Sequence, residues 1–112
     1  MLTGGGMSNS EILSHIPPQK TLFKLQDFFK TFGDATRLKI LFAMDKEEMC
    51  VCQLASALDL NQTTLSHQLS KLNALSLVKK RKVGKMIYYS LDDNHVLEII
   101  KTGLNHINEG KT

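Results

Sequence analysis

Asn61-Gln-Thr-Thr-Leu-Ser-His-Gln-Leu-Ser-Lys-Leu-Asn-Ala-Leu75 is the stretch whose reading decides the fold. Asn61 suits a helix N-cap, because its side chain can accept from the first free backbone N–H groups. Behind it Leu65, Leu69, Leu72 and Leu75 recur at helical intervals and predict a buried seam over 62–75. The opposite side carries Thr63, Thr64, Ser66, His67, Gln68, Ser70 and Lys71. Apart from Lys71 these are uncharged hydrogen-bonding groups, and several are short. Such groups can approach base edges and phosphates closely. A plain solvated helix more often pairs Glu with Lys. A helical hairpin inside a bundle would share the pattern, so the flanking sequence has to discriminate.

Upstream, residues 50–58 read as a short helix with Val51, Leu54, Ala55 and Leu58 on its apolar face, and 59–61 as a tight turn. Two short helices around such a turn, the second polar, make a helix-turn-helix. Downstream, residues 77–91 read as a β-hairpin, with Gly84 in the turn and β-branched and aromatic residues in the second arm. Five of the chain's 14 Lys and Arg residues fall within positions 79–85: Lys79, Lys80, Arg81, Lys82 and Lys85. Lysines also protect sheet edges. Directly after a candidate recognition helix, a basic hairpin reads as a wing that lies against phosphate. The expected fold is therefore mainly α with a small β-hairpin: a winged helix-turn-helix of about five helices plus a two-stranded wing. Thr63, Thr64, Ser66, His67, Gln68, Lys71, Arg81, Lys82 and Lys85 are the DNA-contact candidates, and the expected partner is double-stranded operator DNA with an imperfect palindrome.

Two further helices precede this unit. Leu22, Leu25, Phe28, Phe29 and Phe32 form an apolar stripe over 19–32, ended at Gly33, and Asp34 can cap a helix from Ala35 to about Met44. Residues 1–18 are expected to be a flexible arm closed by Pro17-Pro18, 19–109 the folded domain, and 110–112 a tail. The glycine-rich start lacks the apolar core of a signal peptide. No run of 18 or more apolar residues occurs, so no membrane span is expected. The two cysteines, spaced Cys-x-Cys, suit a metal or a reactive thiol better than a disulfide. That usage fits a reducing cytoplasm. No nucleophile elbow, phosphate loop or HExxH motif points to an enzyme.

The C-terminal segment 90–109 reads as a helix that carries Asp93, His95, His106 and Glu109 in the spacing Asp-x-His-x10-His-x2-Glu. His95 and His106 are three turns plus about 20° apart and so share a face, but the rise between them is about 16 Å. One zinc ion holds donors at about 2 Å. A single helix therefore cannot join the two ends on one metal. Two antiparallel copies could, with Asp93 and His95 of one chain meeting His106 and Glu109 of the other. The pattern thus points to a homodimer as well as a metal; the alternative is a surface helix with incidental histidines.

Five words in order resemble the ArsR/SmtB family of winged-helix metal-responsive repressors. They are Gly33-Asp-Ala-Thr-Arg-Leu-Lys-Ile-Leu41, Met49-Cys-Val-Cys-Gln-Leu-Ala55, Asn61-Gln-Thr-Thr-Leu-Ser-His-Gln-Leu69, Val83-Gly-Lys-Met-Ile-Tyr-Tyr-Ser-Leu-Asp-Asp93 and the C-terminal helix. The resemblance covers roughly residues 20–109. It implies a homodimer that represses metal-resistance or efflux genes and is released by metal. Asp93, His95, His106 and Glu109 match its C-terminal-helix site, suited to Zn2+, with Co2+ or Cd2+ as alternatives. Cys50 and Cys52 match two ligands of its thiolate site, with His15 the one obvious substitute for the missing partners. That site departs from the family at Ala55, where arsenic-type sensors place a cysteine, and at Gln53, where the zinc branch uses a carboxylate. The alternative function is a repressor answering a soft metal, a metalloid or thiol oxidation through Cys50 and Cys52.

Overall fold

The computed structural model describes residues 6–110. The expected glycine-rich lead, before Gly6, and the end of the tail lie outside the described residues. The chain divides into two units, 1–30 and 31–112.

The first unit holds two helices. α1 (Asn9–Ser14) falls within the stretch expected to be a loose arm. A capping box starts it: the Ser8 hydroxyl accepts from the Glu11 N–H at 3.2 Å, and the Glu11 carboxylate accepts from the Ser8 N–H at 3.4 Å. α2 spans Gln19–Thr31. It begins directly after Pro18, where a missing N–H costs nothing. The Phe28 and Phe29 rings meet edge to face at 5.4 Å. Phe23, Leu25 and Phe29 remain exposed.

In the second unit, α3 (Ala35–Ala43) is capped by Asp34, whose carboxylate accepts from the Arg37 N–H at 3.0 Å. A two-residue strand, β1 (Met49–Cys50), runs into α4 (Val51–Leu58). Asp59 ends α4 in the left-handed region at φ 54°, which turns the chain toward α5 (Gln62–Ala74). The expected Asn61 cap is present: its side-chain oxygen accepts from Thr63 N–H at 2.8 Å and Thr64 N–H at 3.2 Å. β2 (Val78–Val83) and β3 (Met86–Leu91) form the hairpin, joined by Gly84-Lys85. Gly84, at φ 61°, supplies the positive φ that a two-residue hairpin turn requires at its first position. α6 (Asn94–Asn108) closes the chain, capped by Asp93.

β1 adds to the free edge of β3, so the sheet has three antiparallel strands in the order β1-β3-β2. The sequence pattern predicts only two of them. Met49 pairs with Tyr89, and Cys50 with Tyr88. Two residues are too few to display an alternation, and their partner lies some forty positions away. With α1 and β1 the described residues hold six helices and three strands. The winged helix-turn-helix class stands.

The core lies where α3, α4, α5, the base of the hairpin and α6 meet. Ile40, Leu41, Leu54, Leu65, Leu69 and Leu72 are fully buried, and Val78, Val96 and Ile100 nearly so. The Leu65-Leu69-Leu72 seam is thus the buried stripe that the period required. Leu75, placed on it from the sequence, lies beyond the last helical residue and is 45% exposed. No helix among the described residues is long and apolar enough to cross a membrane.

Leu69→Ala leaves a cavity beneath α5 and should cost about 2–5 kcal/mol. Asn61→Ala removes only a cap and should cost about 1 kcal/mol. Urea unfolding followed by circular dichroism checks the order. Equal losses would contradict the seam as the main anchor of α5.

Candidate functional site

The buried seam of α5 leaves Thr63, Thr64, Ser66, His67, Ser70 and Lys71 on the exposed side, together with Gln62. Gln68 differs: it is half-buried, and its side-chain oxygen accepts from Arg37 Nε at 3.0 Å. Beside this helix the wing presents Lys79, Lys80, Lys82 and Lys85 to solvent.

Arg81 is also exposed but is not a free cation. Its Nε donates to Glu48 Oε2 at 3.2 Å, Nη2 donates to Glu48 Oε1, and the guanidinium lies 5.6 Å from the centre of the Tyr88 ring. The Arg81 guanidinium holds the Glu48 carboxyl below its ordinary range, and Glu48 in turn raises Arg81. A phosphate at Arg81 would compete with this carboxylate. Sequence reasoning missed both Arg37 and Glu48. Their partners lie 31 and 33 residues away, and no local signal connects them.

At the start of α4 the Cys50 and Cys52 sulfurs approach to 2.9 Å with both thiols free. Gln53 fixes the turn by accepting from the Cys50 N–H at 3.2 Å. The contact between the two sulfurs, in which either can donate, holds the Cys50 thiol below its ordinary range and pushes Cys52 up. The pair lines a cavity of about 270 Å³ with Gln62 and Ser66 of α5 and with Lys85 and Met86 of the hairpin. It therefore sits where the candidate recognition helix and the wing turn meet. His15 belongs to the other unit.

The C-terminal ligand candidates divide into two ends. At the start of α6, Asp93 Oδ1 accepts from the His95 N–H at 2.8 Å, and Asp93 Oδ2 lies 3.3 Å from His95 Nδ1. Partial desolvation would raise the Asp93 carboxyl, but the His95 N–H and imidazole outweigh it and hold it below its ordinary range. His106 lies in the last turn of α6, and Glu109 is its C-cap. Among the described residues no three His, Cys, Asp or Glu side chains of one chain converge on a metal position. Gly103, midway along the helix, has nothing within 4 Å of an added Cβ in this chain.

Residues 34–80, from the cap of α3 into β2, match the model of the family described as bacterial regulatory proteins, arsR family. The chain is 40% identical over 86 residues to a transcriptional repressor SmtB homolog of Synechocystis. It is 42% identical over 82 residues to a cadmium resistance transcriptional regulatory protein CadC homolog of Staphylococcus aureus. The chain belongs to the ArsR/SmtB family. The matches cover 77% and 72% of this chain, and 65% and 68% of the two relatives' own lengths. These ArsR/SmtB relatives are transcriptional regulators, not enzymes. Among solved structures, the AntR antimony-specific transcriptional repressor matches with a TM-score of 0.77 at 25% identity, over 96% of this chain and 98% of its own.

Because the contact with Cys52 is the main cause holding the Cys50 thiol below its ordinary range, Cys52→Ala should move the Cys50 titration upward. Ultraviolet thiolate absorbance against pH reads this directly. An unchanged midpoint would mean that the two sulfurs do not share a proton.

Proposed function

We propose that this chain is a metal-sensing repressor that binds operator DNA as a homodimer and leaves it when zinc, or a similar divalent metal such as Co2+ or Cd2+, bridges the two α6 helices. Release would derepress metal-resistance or efflux genes. The observation that carries the metal reading is the 3.3 Å separation of Asp93 Oδ2 and His95 Nδ1. In a tetrahedral zinc site with bonds near 2.0–2.1 Å, adjacent donors are about 3.3 Å apart. One edge of the tetrahedron is thus at ligand spacing. Two carboxylates and two imidazoles suit the same ion.

The other edge would come from His106 and Glu109 of the partner chain. Leu104 and Ile107, in the same end of α6, are 45% and 56% exposed. They border an open apolar cleft of about 270 Å³ with Phe32 and Phe42. A two-fold contact through this face would cover apolar surface and bring the ligand pairs together. A bound zinc ion supplies a cross-link between protomers, with no chemistry of its own. DNA contact falls to Thr63, Thr64, Ser66, His67 and Lys71 on α5 and to Lys82 and Lys85 on the wing. Gln68 and Arg81 enter this group with their intramolecular partners. The two recognition helices would read half-sites about 34 Å apart.

A fluorescence titration of labelled duplex with protein, repeated with zinc, tests the proposal. Wild-type protein should lose DNA affinity by about tenfold or more on zinc addition, the scale of ordinary allosteric coupling. The His95→Ala, His106→Ala double variant should bind DNA as before and ignore zinc. Zinc release from that variant would remove α6 as the sensor.

A second reading rests on the 2.9 Å approach of Cys50 and Cys52 between α5 and the wing turn. A soft metal or thiol oxidation there would disturb both DNA-facing elements at once. In that case cadmium, arsenite or peroxide should release the α6 double variant from DNA, and Cys50→Ser should abolish the response.

A further inference from the structure

Arg37 lies in the first turn of α3, outside the helix-turn-helix and the wing. It is half-buried, and its Nε donates to Gln68 Oε1 at 3.0 Å. Ion pairs join Arg81 to Glu48, Lys101 to Asp45 and His95 to Asp93. Arg37 is in none of them. The nearby Asp34 carboxylate is used on the Arg37 backbone N–H. The guanidinium is thus partly removed from water with one neutral amide as its side-chain partner. A cation so placed, with no carboxylate bonded to it, keeps its charge available to attract an anion.

The position of the amide shows where such an anion would lie. Gln68 falls between Thr64 and Lys71 at helical spacing, on the flank of the exposed face of α5. Arginine can only donate, so the Gln68 oxygen must face Arg37. The bond at Nε restrains the planar fork next to α5 and leaves its two terminal nitrogens as donors. This is the geometry that recognises a phosphate by two parallel hydrogen bonds.

Resting on the DNA reading proposed above, we infer that Arg37 is a backbone-phosphate ligand of the operator, and that Gln68 is the positioning residue that aims its guanidinium. Gln68 then acts through Arg37 rather than on a base edge. The contrast with Arg81 sharpens the point. Arg81 carries its own carboxylate, so phosphate binding there releases less counterion. Arg37 has no carboxylate to displace.

The test uses a duplex selected by the wild-type chain from a random pool, with affinity measured against salt. Arg37→Gln should weaken binding about five- to tenfold on every duplex alike and flatten the slope of log K against log salt by about 0.9 per bound protomer. Arg37→Lys keeps the charge and should keep the slope; it also stands in if Arg37→Gln proves poorly folded by circular dichroism. Gln68→Met should weaken binding less, with base preferences intact. Arg81→Gln should change the slope by less than Arg37→Gln. An unchanged slope in Arg37→Gln overturns the inference. So does a shared loss of preference at one base position in Arg37→Gln and Gln68→Met, which would make Gln68 the reader and Arg37 its support. Failure of the wild-type chain to bind any duplex at low salt is visible before a variant is made, and it would remove the DNA reading and this inference together.

Discussion

The burial of Leu65, Leu69 and Leu72 is the constraint on which the functional face depends. All three are fully buried. A helix rotated by one residue would present them to water, at about 1.5–3 kcal/mol for each large apolar side chain. That penalty fixes the rotation of α5 and hence which groups look outward. The hydroxyls, His67 and Lys71 are exposed because the leucines cannot be. Asn61 then sets where the helix begins. It satisfies two N–H groups at the end that points away from the core. A DNA-reading surface needs this kind of rigid support, since hydrogen bonds to base edges tolerate little displacement.

How much of this could be read from the chain follows the range of the interactions. Helices α2 to α6 show their 3.6-residue period in 8 to 15 residues, and Asp34, Asn61 and Asp93 mark starts by local capping. The hairpin announces itself through Gly84 and the alternation after it. α1 has a local signal as well: Ser8 and Glu11 form a capping box, although Pro17-Pro18 follow soon after. β1 had none, because a two-residue strand exists only by pairing with β3. The site divides along the same line. The exposed α5 groups and the Asp93-His95 pair are local and were legible. The bonds Arg37–Gln68 and Arg81–Glu48 join residues more than thirty positions apart and appear only in the fold.

Those two long-range bonds change how a basic surface should be counted. The sequence places five cations in the hairpin and counts Arg81 with Lys82 and Lys85 as phosphate candidates. Arg81 is paired with Glu48 and lies over the Tyr88 ring, so its field is partly cancelled within the chain. It serves the wing as much as the partner, tying β2 to the segment just before β1. Since β1 leads directly into Cys50 and α4, this ion pair and the β1–β3 ladder mechanically join the thiol pair to the wing. Any ligand that rearranged the sulfurs would act on a strand already bonded to β3. The second reading of function therefore has a physical route, whatever the chemistry at the thiols.

The two ends of α6 are not equivalent, and the difference bears on how a metal could act at a distance. Asp93 uses Oδ1 to cap the helix and leaves Oδ2 beside the imidazole, so a metal could engage Oδ2 without uncapping α6. That pair is preorganised. His106 lies in the last turn, and Glu109 caps it, with the Glu109 N–H donated to the Asn105 carbonyl and the Gly110 N–H to that of Ile107. On the proposed reading, the metal would join the C-terminal turn of one protomer to the N-terminal turn of its partner. A ligand shifts a conformational equilibrium only by the difference in its affinity for the two states. The difference here must arise from whether the dimer arrangement brings the second pair within about 2 Å of an ion held by the first. DNA, which selects its own spacing of the two α5 helices, must then oppose metal by the same free energy with which metal opposes DNA.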